Sequence, residues 1–470
     1  MPIKLEINTL QEFLDGIHID RFPPTFQQAI MLTESLGIEY IWIDSLCIIQ
    51  DDKNDWANEC SRMTSVYMNS FINIGANAAR DSRGGLFQQR SWKSVNPLFV
   101  PLTYVPTNWH REPVVLWPNS PSGNLLDHAP LGDRGWIVQE RLLASRTVHF
   151  LKHEVVWECD ECQAPETDVT GKLEDFNFFK RTYLAIPTAP FPGAIDRITP
   201  FLDTWANIVN LYSTGKLSVA TDKLVALSGV AKYMFEHRQD NRALRHYAGH
   251  WSQDFELQLR WSASPFSTGS RSQTYVAPSW SWASYNGKVL LPRPHCETSL
   301  VQLISIETFP QSDPFGAVSA SFRGYVRFRG PLCRAIVTHP EHWDEHCDEI
   351  RSPSTLRLLW SGVKIECADL SFDEPDEVVA LEDSVEQRIS FVIFGISQTY
   401  YCGESLQGIL LQLTGVQRGQ YRRIGALRVD EGWIDEQNDF GALTDAFGAM
   451  DMSEQDYEHR GKDWYEFMIV

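Results

Sequence analysis

The residues best suited to chemistry fall in two short blocks. The first, Tyr40 to Tyr67 (YIWIDSLCIIQDDKNDWANECSRMTSVY), sets Asp44, Cys47, Gln50, Trp56 and Glu59 close together in the chain. Glu59 falls on the stripe that Trp56, Cys60, Met63, Val66 and Tyr67 mark at helical spacing. Burying a carboxylate there costs several kcal/mol unless it is paired or protonated. Two readings follow. One is a structural ion pair with Arg62 or Arg134; the other is a carboxylate that grips a sugar hydroxyl or assists glycosidic cleavage. Cys47 lies where a nucleophile could sit, although the sequence names no partner base, and a small buried apolar residue is the plain alternative. The second block, Asp133 to Leu143, offers Arg134, Trp136, Gln139 and Glu140.

These side chains need elements to hold them. Tyr40–Ile43 is short, aromatic and β-branched and stops at Asp44-Ser45, which predicts a buried strand over 39–43 with polar groups at its carboxyl end, where open α/β sheets bind ligands. A helix over 22–36 precedes it, entered through Pro23-Pro24 and stopped by Gly37. A helix over 54–68 follows, started by Asp51, Asp52 or Asn54, and 71–75 is a further strand. This alternation predicts a mostly parallel sheet. Residues 76–90 are a polar, Gly-rich loop, and 91–130 holds strands such as Val114–Trp117 between irregular loops. A helix from Asp133 then leads into a hairpin, 147–151 with 155–157.

Beyond residue 166 a helical stretch over 199–247 gives way to β-rich sequence. Trp280 and Trp282 at period two predict one face of a strand, as core side chains. Segments 317–328, 355–367, 389–396 and 407–428 also suit strands, and 430–470 suits a loop and a short helix.

A chain of 470 residues, 43% hydrophobic, is long enough for two or three folded domains. Its net charge of -20 argues against binding nucleic acid or an anionic membrane. The start MPIKLEINTL has no long apolar core behind a basic head and no run of apolar residues is long enough to span a bilayer, so neither secretion nor membrane insertion is expected. Nine cysteines without a repeating framework suit reduced thiols and a cytoplasmic setting. No metal site is expected. Cys159-Asp-Glu-Cys162 has half a zinc spacing with no second half, and His339, His342 and His346 suit a solvated helix face. Dinucleotide, P-loop, serine-hydrolase and zinc-protease motifs are all missing.

The Tyr40 block and LGDRGWIVQERLLASRTVHF closely resemble the two later blocks of the fungal heterokaryon-incompatibility domain. FPPTFQQAIMLTESLGIEY is similar to the helix before them and DSRGGLF to the loop between. TDKLVALSGVA, APSWSWAS and GQYRRIGALRV resemble segments of large proteins that carry this domain. The resemblance implies a role in fungal non-self recognition, in which incompatible cell fusions are met by programmed death. It also implies a TIR-like, flavodoxin-like module, a fold that in some members cleaves NAD. Glu59 would then be the catalytic carboxylate, with Asp44, Cys47, Gln50, Trp56, Arg134, Trp136, Gln139 and Glu140 around the pocket. Trp56 and Glu59 are three apart, where the TIR-like pattern has four. The family pattern opens with a strand ending in a Ser-Tyr-x-Trp-Gly-like segment, and the sequence from Met1-Pro-Ile-Lys-Leu-Glu-Ile is expected to lack it.

The resulting expectation is a shortened incompatibility domain over 1–165 and a helical and β-rich region over 166–470. NAD is a candidate substrate and no cofactor is required. Self-association or a recognition protein is the candidate partner. The alternatives are a non-catalytic signalling or scaffold module and an enzyme repurposed for secondary metabolism.

Overall fold

The structure is a computed structural model that describes residues 3–90, 98–100, 114–116, 129–166, 200–238, 243–264, 269–292, 296–338, 354–358, 364–373, 387–399, 403–430, 457–461 and 464–470. The chain divides into two compact units, Met1–Ala185 and Ile186–Val470. The histidine-rich segment His339 to Cys347 lies outside the described residues.

In the first unit, α1 (Leu10–Asp15) is followed by α2 (Pro24–Ser35), with Pro24 at its first position. Gly37, at φ 69°, ends α2, its N–H bonding Glu34 O while that of Ile38 bonds Thr33 O. That paired closure of the last turn needs a left-handed residue, which glycine adopts without a Cβ clash. Next come α3 (Asp44–Cys47) and α4 (Lys53–Asn69). Asp52 caps α4 by accepting the N–H groups of Asn54 and Asp55 at 2.8 and 3.2 Å. The remaining elements are β1 (Asn73–Gly75), β2 (Leu98–Val100), β3 (Val114–Leu116), α5 (Ile137–Leu143), β4 (Arg146–Phe150), β5 (Val155–Cys159) and β6 (Gln163–Pro165).

The expected α/β organisation is present, but the sheet is not mostly parallel. Its order is β1-β4-β5-β6, with β1 and β4 parallel and the other two pairings antiparallel. The reason is local: β4, β5 and β6 are joined by tight turns, which force antiparallel neighbours. The buried strand expected over 39–43 is also absent. Residues 38–43 are extended without a ladder, and Tyr40 is 84% exposed. The following turn is tied instead to the amino-terminal segment, Leu5 N–H donating to Ser45 O and Gln50 N–H to Leu5 O, each at 2.9 Å. Aromatic and β-branched content favours extended backbone, but only a partner strand makes a sheet.

One face of the sheet is covered by α2, through Ala29 and Leu32 against Ile74, Val148 and Phe150. The DSRGGLF loop is fastened to the same helix. Thr25 Oγ1 accepts Gly85 N–H at 2.9 Å, and Gln28 Oε1 accepts those of Leu86 and Phe87 at 2.6 and 3.0 Å.

In the second unit the predicted long helix is two, α6 (Pro200–Tyr212) and α7 (Val225–His237). The β-rich expectation holds. Six antiparallel strands, 387–399, 332–338, 354–358, 364–372, 420–430 and 403–413, pair in a closed circuit. The expected strand 317–328 begins only at Tyr325, and the carboxyl end supplies a strand, Tyr465–Ile469, rather than a helix. Trp280 and Trp282 are fully buried as expected, though in a turn and a short 3-10 helix (Trp282–Ser284) instead of a strand. Ser281 causes this by capping the N–H of Ala283 at 3.0 Å.

Candidate functional site

Helices α4 and α5 lie side by side, so the two sequence blocks meet. Tyr67, in the last turn of α4, hydrogen-bonds the Glu140 side chain on α5. Asp44, at the start of α3, and Arg134, just before α5, act on both groups through their charges. Glu140 is half-buried, and desolvation of its carboxyl raises it to about 7. Arg134 and the Tyr67 hydrogen bond oppose that rise, and the Asp44 charge adds to it. Tyr67 is pushed well above the ordinary phenol range by burial and then by Glu140 and Asp44. Trp42 meets the Tyr67 ring edge-on, 5.9 Å between centroids.

The group continues along α3. Cys47 is exposed as a residue, yet crowding of its sulfur and the charges of Asp44 and Glu59 push the thiol up despite a backbone hydrogen bond at Ile43. A raised thiol is a poor source of thiolate, which disfavours the nucleophile reading. Gln50 Nε2 donates to the Asp44 and Ile48 carbonyls at 3.3 and 3.0 Å. Glu59 Oε1 accepts from Arg62 at 3.0 Å, the ion pair that sequence mechanics offered as its plainer role.

The structure therefore groups Asp44, Arg134 and Glu140, with Cys47, Gln50 and Glu59 reaching the group through Asp44 and its helix. Trp56 and Trp136 are half-buried on their own elements and Gln139 is buried in α5. Tyr67 is a further site residue, one whose helical spacing by itself predicts only a place on the packing stripe. Its signal was available: Tyr67 stands two turns along the Glu59–Met63 face, and a buried phenol needs a partner for its hydroxyl.

A second polar group fixes this geometry from below. Arg141 donates to Glu158 through Nε and a terminal nitrogen at 2.7 and 3.0 Å. His149 places Nε2 2.8 Å from the same carboxylate and Nδ1 3.2 Å from Asn77 Oδ1. Burial would raise Glu158, but His149 and Arg141 outweigh it and hold the group at about 2. Arg141, His149 and Glu158 are all buried. Gly75 is required beside them, because a Cβ there would stand 2.5 Å from Asn77 Oδ1.

An open cleft in the same unit is lined by Ile30, Thr33, Glu34, Gly37, Ile38, Glu39 and Ile41. It lies against the end of α2 and includes none of the grouped carboxylates. Among the described residues no three or more His, Cys, Asp or Glu side chains are placed to hold a metal ion, and no helix is long and apolar enough to cross a membrane.

Comparison with known proteins adds one finding. Residues 4–140 match the family model described as Heterokaryon incompatibility protein (HET), and the resemblance read from the Tyr40 and Asp133 blocks is thereby borne out. No curated protein and no solved structure matches the chain.

Proposed function

From the premise that this chain carries a heterokaryon-incompatibility domain over residues 4–140, we propose that it acts in fungal non-self recognition and triggers programmed death of incompatible fused cells. The proposed reaction is hydrolysis of a nucleotide of the NAD class by the Asp44–Tyr67–Arg134–Glu140 group, in a TIR-like role. The supporting observation is the Glu140 carboxyl, desolvated beside Tyr67, Asp44 and Arg134 and poised near neutrality.

A carboxyl that is part-protonated at neutral pH both donates to and accepts from a ribose hydroxyl. The negative charge of Asp44 stabilises the oxocarbenium-like ribosyl centre as the bond to nicotinamide breaks. Water then adds at that carbon and gives its proton to the carboxylate pair. Arg134, exposed just before α5, is the proposed partner of a phosphate oxygen. Glu59 flanks the group and is the second carboxylate to test.

A non-catalytic reading is favoured by a different observation. The cleft at the end of α2 is lined in part by Ile30, Ile38 and Ile41, and Met31, Leu36 and Tyr40 in the same stretch of chain are large and exposed, which suits a self-associating or partner-binding surface.

Incubation of the purified chain with NAD, following nicotinamide release, separates the two. Turnover by the native chain, lost in Glu140→Gln and reduced in Glu59→Ala, is the expected result, with cell killing lost in parallel. Killing that survives Glu140→Gln, with no turnover by the native chain, overturns the enzymatic reading in favour of the surface.

A further inference from the structure

Cys159 and Cys162 close the turn between β5 and β6, with their sulfurs 3.7 Å apart. The turn is locked by Cys159 N–H donating to Cys162 O at 2.9 Å, and Cys162 N–H points back to Cys159 Sγ at 3.4 Å. Both cysteines are half-buried, and Asp160 and Glu161 between them are exposed, so the pair is reachable from solvent. Facing residues of an antiparallel pair have Cα atoms about 5.5 Å apart, inside the range that a disulfide spans. The sulfurs must then close from 3.7 Å to the bonding distance of about 2.05 Å.

The turn favours Cys159 as the attacking sulfur, because the Cys162 N–H is aimed at its Sγ. Burial raises the Cys159 thiol, but hydrogen bonds from the backbone at Cys162 and Glu161 and with the Trp157 side chain outweigh it, so the group lies below the ordinary thiol range. Backbone N–H groups aimed at a sulfur favour its thiolate, which is the nucleophile in exchange.

We propose that Cys159 and Cys162 form a thiol–disulfide exchange site whose substrate is a low-molecular-weight disulfide of the glutathione class. The Cys159 thiolate attacks one sulfur of that disulfide, forming a mixed disulfide and releasing the other half as a thiolate. Cys162, losing its proton, attacks Cys159 Sγ, closes the intramolecular disulfide and releases the second half. Two protein thiols are oxidised, one small disulfide is reduced to two thiols, and the two protons leave with them. The bond staples edge strand β6 to β5 next to Glu158, whose carboxylate holds α5.

The test equilibrates the full chain in buffers stepped from reduced to oxidised glutathione, quenches with acid, alkylates, and reads the peptide that contains both cysteines. Peptide resolution matters because Cys47 is exposed. The expected result is joint loss of both alkylatable thiols, reversed by reductant, with Cys162→Ser accumulating one glutathione on Cys159 and Cys159→Ser accumulating less on Cys162. Thermal melts of both variants report that the hairpin still folds. The proposal is overturned if both thiols stay alkylatable in the most oxidising buffer, if Cys162→Ser traps no adduct, or if a chelator rather than a reductant releases the protection, which would mark a metal chelate.

Discussion

Arg141 and Glu158 form a buried, two-pronged ion pair, at 2.7 and 3.0 Å, that fastens helix α5 to the sheet. Because Glu140 is the neighbour of Arg141 in the chain, this bond also fixes the backbone from which the candidate carboxyl reaches Tyr67 and Asp44. A helix of seven residues has little stability of its own, so its position depends on such tertiary ties.

Removing one partner leaves the other charged and buried. Glu158→Gln is expected to lower the stability of the unit by about 3–5 kcal/mol, read as a shift in the urea midpoint. The native chain has a related acid sensitivity. The folded group titrates at about 2, below its ordinary value of 4.5. Its contribution is therefore fully present above pH 4.5 and is lost as pH falls toward 2, and that acid-limb slope should be missing in the variant.

Glu140 behaves in the opposite sense. Its folded value is raised from 4.5 to about 7, so the stability it contributes is present below pH 4.5 and is lost as pH rises through 7. Glu140→Gln should flatten that fall, gaining about 1–3 kcal/mol at pH 8 relative to the native chain, measured by denaturant melts across the range.

Tyr67→Phe isolates the hydrogen bond. That bond favours the charged form of Glu140, so its loss should move the carboxyl further up. A carbon-detected titration of the Glu140 carboxyl reads the shift directly, and an unchanged midpoint would remove Tyr67 from the group.

The second unit carries its own titrating group. Lys223 is buried, with Nζ donating to the Tyr285 carbonyl and lying 5.6 Å from the centre of the Trp282 ring, and burial lowers it to about 7. A lysine depressed from 10.5 leaves the folded state short of protons between those values, so stability should rise with pH from 7 to 10.5. Lys223→Met is expected to abolish that slope and to stabilise the chain by about 1–3 kcal/mol at pH 6, after the lost hydrogen bond is counted.

Gly75→Ala tests the space around the buried network. Its Cβ would stand 2.5 Å from Asn77 Oδ1 and 3.1 Å from His149 Nδ1, so a cost of about 1–3 kcal/mol is expected from forced repacking. Thermal unfolding of the variant checks this.

The sequence by itself determined the elements whose signals are local. The proline entrance and glycine stop of α2, the aspartate cap of α4 and the hairpin β4–β5 were legible, because each is set by residues within a turn or two of chain. The long Tyr40 and Asp133 blocks likewise identified the incompatibility domain. What only the tertiary structure decided was which of those groups meet. The pairing of Tyr67 with Glu140 depends on α4 lying against α5, and that of Arg141 with Glu158 on a helix docking over a strand. Desolvation, which sets the character of Glu140 and Lys223, depends on every atom packed around a group and not on its neighbours in sequence. The same dependence explains residues 39–43: their composition called for a strand, but a strand exists only through hydrogen bonds to a partner, and the fold ties the following turn to Leu5 instead.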